Sequence, residues 1–347
     1  MQQIQSIALF GAGHHGATAV LPAILKLQER NRLRLVGIVE PAEENQRRAC
    51  ISAPDLPVFS SAAELYSNCK PDIAYISTLP HLHESVALEA FSNGCHVVCE
   101  KPLAPETEAC RRMIAAAERA DRHLVTMFEN RYKPHYSQIR SWILSGKVGR
   151  VECIHLRHFW PGPVHEPRRT NLLNASGALD CGIHYLDLAR FFVDGGEWER
   201  IYATGQWFDE PHLEKPPHID IVARLVNGPT INLSDSMSYR IAYGKRTGDR
   251  SSYNSITVLG TEGVIQAELD RVILLTTDGS SVRMPIGKST HADEIPWVLE
   301  DLLSLIHDGV AASGFLPDGR DGLIAQHATE QANQQANAVR ASLQMLH

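Results

Sequence analysis

The passage from a hydrophobic strand into a glycine turn at Leu9 to Val20, LFGAGHHGATAV, constrains this chain most. Gly11, Gly13 and Gly16 fit G-x-G-x-x-G, in which small residues permit a tight turn, close approach of backbone to a pyrophosphate, and close packing of helix on strand. The apolar run SIALF precedes the turn, and Ala19, Leu21, Ala23, Ile24 and Leu27 recur behind it near a helical period. Pro22 falls inside that helix and is expected to kink it, because proline removes a hydrogen bond there. A second strand, RLRLVGIVEP, ends in Glu40, 24 residues past Gly16, where a βαβ dinucleotide unit places an acid that accepts the adenine ribose hydroxyls. His14 and His15 fill the turn's variable positions, either facing the pyrophosphate and nicotinamide ribose or simply exposed to solvent.

Strand and helix go on alternating to about residue 125. A helix starts at Ala42 and another follows SSAAEL; then come the strand DIAYIST, a helix around ESVALEAFSNG, the strand HVVCE, the helix PETEACRRMIAAAERA and the strand HLVTMFE. Such alternation specifies a parallel sheet with helices on both faces. From about Arg150 extended runs succeed one another, among them VECIHLRHFW, ERIYATGQWF, IDIVARLV, TINLSDSMSY, SITVLG and RVILLTT, with one helix, GALDCGIHYLDLARFF. Strands without helices between them imply a mostly antiparallel sheet. The chain therefore reads as α/β: a Rossmann doubly wound domain over residues 1–125, and an α+β domain over 126–347 for substrate and oligomerisation. Two C-terminal helices, in EIPWVLEDLLSLIHDG and GLIAQHATEQANQQANAVRASL, are free to pack back on the first domain.

A net charge of −7 and a pI near 6.2 supply no basic face for nucleic acid. The N-terminus lacks a cleavable leader, and no apolar run reaches the roughly 20 residues that cross a bilayer, so a cytoplasmic protein without membrane contact is expected. The seven cysteines form no C-x-x-C pair and are expected to be reduced thiols. His81, His83, Cys95, His96 and Cys99 match no common zinc spacing, so no metal is expected.

Two segments carry ionisable groups at informative places. STLPHLHESVALEAFSNGCHVVCEKPL ends a strand in Glu100, Lys101 and Pro102, and strand ends in doubly wound sheets face the ligand crevice. In GALDCGIHYLD, Asp180 and His184 are four apart and share one face of a largely apolar helix. Gly182, with Gly177 ahead, is expected to leave room there for a ligand, and Asp187 with Arg190 reads as a helix-surface or structural pair.

Together with FGAGHHG and MFENRYKP, these segments resemble the Gfo/Idh/MocA family (glucose-fructose oxidoreductase, inositol dehydrogenase, rhizopine catabolism) nearly end to end. The resemblance implies a catalytic set of Lys101, Asp180 and His184. Around the cofactor it implies Gly11, Gly13, His14, His15, Gly16, Glu40, Thr78, Leu79, Pro80, His83, Glu100, Lys101 and Arg131. His158, Trp160, Arg168 and Arg169 lie near where the family meets its substrate, and the arginines could pair with an anionic sugar or a phosphate. NASGALD departs from the Gly-Gly pair that the family often shows before the catalytic helix, a change of loop shape more than of chemistry.

The activity so implied is an NAD-dependent interconversion of a secondary hydroxyl and a ketone on a sugar, sugar derivative or cyclitol. Histidine suits the general base because its ordinary pKa is near neutrality, and lysine supplies a cation where negative charge builds on oxygen. Asp180 can hold substrate hydroxyls or orient the pair. Glu40 favours NAD over NADP, since a 2′-phosphate would meet like charge, although Arg47 and Arg48 follow two turns later. The family also implies homodimers or homotetramers. The alternatives are NAD-assisted glycoside cleavage through transient oxidation, and a non-enzymatic nucleotide-binding regulator; keeping Lys101, Asp180 and His184 together argues against the regulator.

Overall fold

The computed structural model describes residues 4–160, 176–208, 210–237, 253–268 and 270–344. It divides into two compact units, Met1–Lys133 with Lys288–Gln326, and Pro134–Gly287 with His327–His347.

In the first unit, β1 (Gln5–Phe10), β2 (Leu33–Val39), β3 (Val58–Phe59), β4 (Ile73–Ile76), β5 (His96–Cys99) and β6 (Leu124–Thr126) form a parallel sheet in the order β3-β2-β1-β4-β5-β6. The strands are apolar nearly throughout because both faces are covered. Alternate residues of β1 enter opposite cores: Ile7 and Leu9 pack with the helix Leu21–Glu29, and Ala8 and Phe10 with helices His83–Ser92 and Thr107–Ala120. The helix His291–Asp308 joins the first of these cores. Its N-terminus is fixed by reciprocal hydrogen bonds between Thr290 and Asp293, and it buries Ile295, Val298, Leu299, Leu302 and Leu303 at helical spacing. At about 1.5–3 kcal/mol for each buried aliphatic side chain, that face outweighs the ~1 kcal/mol of its cap.

Pro22 meets the sequence expectation differently from a kink. A wider π-type turn over Gly16–Val20 precedes the regular helix, so Pro22 becomes that helix's second residue, where its missing N–H and its ring are tolerated.

The second unit contains β7 (Val151–Phe159), β8 (Trp198–Gln206), β9 (His218–Leu225), β10 (Thr230–Ser236), β11 (Tyr253–Gly260), β12 (Gly263–Glu268), β13 (Arg271–Thr276) and β14 (Ser281–Pro285). Their order is β14-β13-β12-β11-β7-β10-β9-β8, with β7 and β10 parallel and the remaining pairs antiparallel. The helix Leu179–Phe192 packs on β7 and β10 and against the helix Pro134–Leu144. Inward positions of the central strands alternate: Ile154, Leu156 and His158 on β7 face inward beside Ile231, Leu233 and Asp235 on β10. Among the described residues, no helix is long and apolar enough to cross a membrane.

Candidate active site

In the first unit the chain runs from β1 outward to β3, then returns to β4 on the other side of β1, which puts the topological switch at the C-terminal ends of β1 and β4. The glycine turn lies there. Gly11 has a φ of +94°, and a Cβ on it would come within 2.6 Å of the Ser77 carbonyl after β4. A Cβ on Gly16 would come within 2.2 Å of the Gly11 carbonyl, whereas one on Gly13 would meet nothing within 4 Å. The outer glycines thus close the turn, and Gly13 leaves its backbone open to approach.

Glu40 is buried at the end of β2 and accepts two backbone N–H groups, Ala12 on Oε2 at 2.8 Å and Ala42 on Oε1 at 2.9 Å. Arg47 and Arg48 pair with Glu43 and Glu44 on an exposed helix. His14 is exposed, with its carbonyl accepting from Thr18. His15 turns back to Glu100, Nε2 to Oε1 at 3.0 Å, and the same oxygen accepts the Tyr75 hydroxyl at 2.9 Å. Burial opposes a charge on His15, but the adjacent Glu100 carboxylate and its hydrogen bond leave the ring's pKa raised.

The peptide between Lys101 and Pro102 is cis, and Lys101 is half-buried. Leu79 is exposed, and Pro80 opens a short 3-10 turn, Pro80–Leu82. His83 is buried with Nδ1 3.0 Å from the Pro102 carbonyl and Nε2 3.2 Å from the Thr78 carbonyl. Burial lowers its pKa, so the ring braces the two loops, donating to one carbonyl at a time. Arg131 is buried against Asp321, 3.0 Å away, and donates to the Phe315 carbonyl.

In the second unit, Asp180 lies in the first turn of the helix Leu179–Phe192 and His184 is buried one turn later. One expectation about this helix is corrected. The space at Gly182 is taken by protein: a Cβ there would come within 2.1 Å of Asp235 Oδ2, and one on Gly177 within 2.9 Å of Lys215. Asp187 and Arg190 are buried, which leaves the structural and not the helix-surface alternative for this pair, and Arg190 donates to the Gly196 carbonyl. His158 hydrogen-bonds Asp235 at 2.7 Å, and the half-buried Trp160 donates its backbone N–H to Ser236. Arg168 and Arg169 lie outside the described residues. Among the described residues, no group of three or more His, Cys, Asp or Glu side chains is arranged to hold a metal ion, and none of the seven cysteines is in a disulfide.

Sequence reasoning missed Tyr75, Glu129, His291 and Asp235. His291 hydrogen-bonds Glu129 at 2.6 Å and sets its ring edge-on to His15, centroids 5.6 Å apart. No local pattern marks a pair 162 residues apart. Asp235 did carry a signal: a charged residue two positions past the inward aliphatic residues Ile231 and Leu233 of the same strand.

Residues 5–128 match the model of an oxidoreductase family with an NAD-binding Rossmann fold, GFO_IDH_MocA, and residues 136–266 match the GFO/IDH/MocA C-terminal domain. An inositol 2-dehydrogenase of Streptomyces avermitilis is 29% identical over 56% of this chain and 54% of its own length. The trans-1,2-dihydrobenzene-1,2-diol dehydrogenase of Xenopus laevis is 30% identical over 60% of this chain and 59% of its own length. The matched region thus spans little more than half of these relatives. A levoglucosan dehydrogenase solved with NADH and levoglucosan is similar in fold, with a TM-score of 0.81 and 19% identity over 97% of this chain and 98% of that one. So is an oxidoreductase from Agrobacterium radiobacter solved with NAD+, L-tartaric acid and magnesium, with a TM-score of 0.82 and 17% identity over 96% of this chain and 97% of that one.

Proposed function

Because the chain belongs to the Gfo/Idh/MocA oxidoreductase family, we propose that it is an NAD-dependent dehydrogenase interconverting a secondary hydroxyl and a ketone on a sugar, sugar derivative or cyclitol. The observation that carries this reading is the turn after β1, where Gly13 is open and Glu40 holds Ala12 beside it. A side chain at Gly13 would fill the space through which a pyrophosphate approaches backbone N–H groups at the start of a helix. When bound, the nicotinamide supplies the hydride acceptor or donor.

The chain's own residues do the rest. Glu40 takes the ribose hydroxyls and repels a 2′-phosphate, and the acids paired with Arg47 and Arg48 offset the nearest cations. Lys101 stabilises charge on the substrate oxygen, His184 accepts the hydroxyl proton, and Asp180 holds the neighbouring hydroxyls. Relatives named as inositol, dihydrodiol and levoglucosan dehydrogenases support a cyclic polyol as the substrate class. Assembly as a dimer or tetramer is proposed through the sheet of the second unit, where cross-strand neighbours Tyr202 and Val222 are exposed. Fluorescence titration with NADH and NADPH tests the cofactor assignment. NADH is expected to bind at least about tenfold tighter, a difference of ~1.4 kcal/mol, and equal affinities would remove it.

A further inference from the structure

Within the first unit, a cleft of about 600 Å³ lies between the helix Leu21–Glu29, the helix His291–Asp308 and the chain that follows the second helix. That volume falls in the range of roughly 300–1,000 Å³ typical of small-molecule sites. Part of its lining is apolar: Leu27 and Pro296 are buried, and Tyr132 meets Phe315 edge-on, ring centroids 6.1 Å apart. Trp297 lines the same cleft but is 62% exposed, although Pro296 and Val298 on either side of it are buried. Its indole meets no other ring among the described residues. A large aromatic side chain held in water beside a recess is an unspent contact surface.

The charges lining the cleft are unevenly committed. Asp293 Oδ2 accepts both the backbone N–H and the hydroxyl of Thr290. Glu300 is held by Arg32, through Nε at 3.0 Å and a terminal nitrogen at 2.7 Å. Asp301 accepts the Tyr132 hydroxyl at 2.6 Å and the Ser313 backbone N–H at 3.0 Å. The cations are not spent in this way. Lys26 Nζ stands 3.8 Å from Asp293 Oδ1, too long for a hydrogen bond, and the exposed Arg30 has no hydrogen bond or ion pair among the described residues. Lys26 and Arg30 are four apart, the spacing that brings two side chains to one helix face. The cleft therefore offers an incoming group a bare indole and two donors of positive charge, while its acids already hold their partners.

We infer that this cleft binds a small aromatic acid, its ring stacked on Trp297 and its carboxylate paired with Arg30 and Lys26. A guanidinium matches a carboxylate with two parallel N–H bonds, which favours the acid over a neutral ring of the same shape. An aromatic cation meets two like charges there, and an aliphatic acid leaves the indole uncovered. Arg30 follows the last residue of a helix whose other end is joined to the glycine turn, so this site is separate from the place expected for the dinucleotide.

The test uses 19F NMR of protein carrying 5-fluorotryptophan at its five tryptophans, with the resonance lost in Trp297→Phe identifying Trp297. Indole-3-acetate, indole-3-acetamide and tryptamine serve as acid, neutral and cationic probes of one ring. The acid is expected to move the Trp297 resonance saturably, with a Kd at least about fivefold below those of the amide and the amine. Excess NAD+ is expected to leave the acid bound. In the double variant Lys26→Gln with Arg30→Gln, acid and amide are expected to bind within about twofold of each other. No saturable movement, equal or tighter binding of the amide or amine, release by NAD+, or an acid preference that survives the double variant would overturn the assignment. A Trp297 resonance that moves with protein concentration alone would give the cleft to a second copy of the chain and overturn it too. The ranking of the three probes needs no altered cleft, and no readout uses turnover, so the result is independent of the dehydrogenase reading.

Discussion

Glu40 at the end of β2 accepts the backbone N–H of Ala12, 2.8 Å away in the turn that follows β1. One carboxylate thus supports the glycine turn and stands where a ribose is expected. Glu40→Ser removes the acceptor of Ala12 and of Ala42 together, each a charge-assisted bond of about 1.5–3 kcal/mol. The expected outcome is a lower melting temperature, NAD bound about tenfold more weakly, and a narrower preference over NADP. Unchanged cofactor titrations in a folded variant would separate Glu40 from cofactor recognition.

His15 and Glu100 give the turn a dependence on pH. The folded pKa of His15 is raised above the unfolded value of 6.5 by Glu100, so its stabilisation is complete below pH 6.5 and fades as pH rises through the folded pKa. Replacing His15 by Asn should therefore lower the melting temperature more at pH 6 than at pH 8.5. A gap of the same size at both values would leave the pair without electrostatic weight. The ring is partly exposed, which keeps the effect small.

Gly182 separates two opposed effects. Alanine in place of glycine within a helix ordinarily stabilises by about 0.8–1 kcal/mol, but here the added Cβ falls 2.1 Å from Asp235 Oδ2, and overpacking costs about 1–3 kcal/mol. Overpacking wins, so Gly182→Ala is expected to destabilise. In an Asp235→Ala background the same change should be neutral or stabilising, and additive effects in the four-member cycle would deny the contact.

The parallel unit is legible in sequence because strands covered on both faces are continuous apolar runs beside recognisable turns, as in SIALF before Gly11 and HVVC before Glu100. β3, with two residues, and β14, mostly exposed, are not, since neither shows a periodic apolar face. β12 is not picked out either, although Gly263, Ile265 and Ala267 alternate inward. At the site, the glycines, Glu40, Lys101, Asp180 and His184 stand in local motifs. His15 with Glu100, and His158 with Asp235, are 85 and 77 residues apart, and only strand order and register bring them together. The crowding at Gly182 was equally hidden, because the side chain that fills it comes from β10.

Oxidation of a CH–OH group with NAD through Lys101 is the step on which the proposed function rests. Its most direct test is NADH formation by the purified protein, and by Lys101→Ala, across sugars, inositols, sugar phosphates and nucleotide sugars. The expected result is a cyclic polyol that yields NADH and ketone in equal amounts, with turnover at least about 100-fold lower in Lys101→Ala while NADH still binds. A glycoside cleaved with no net NADH, or turnover in Lys101→Ala within about threefold of the unaltered protein, would contradict it.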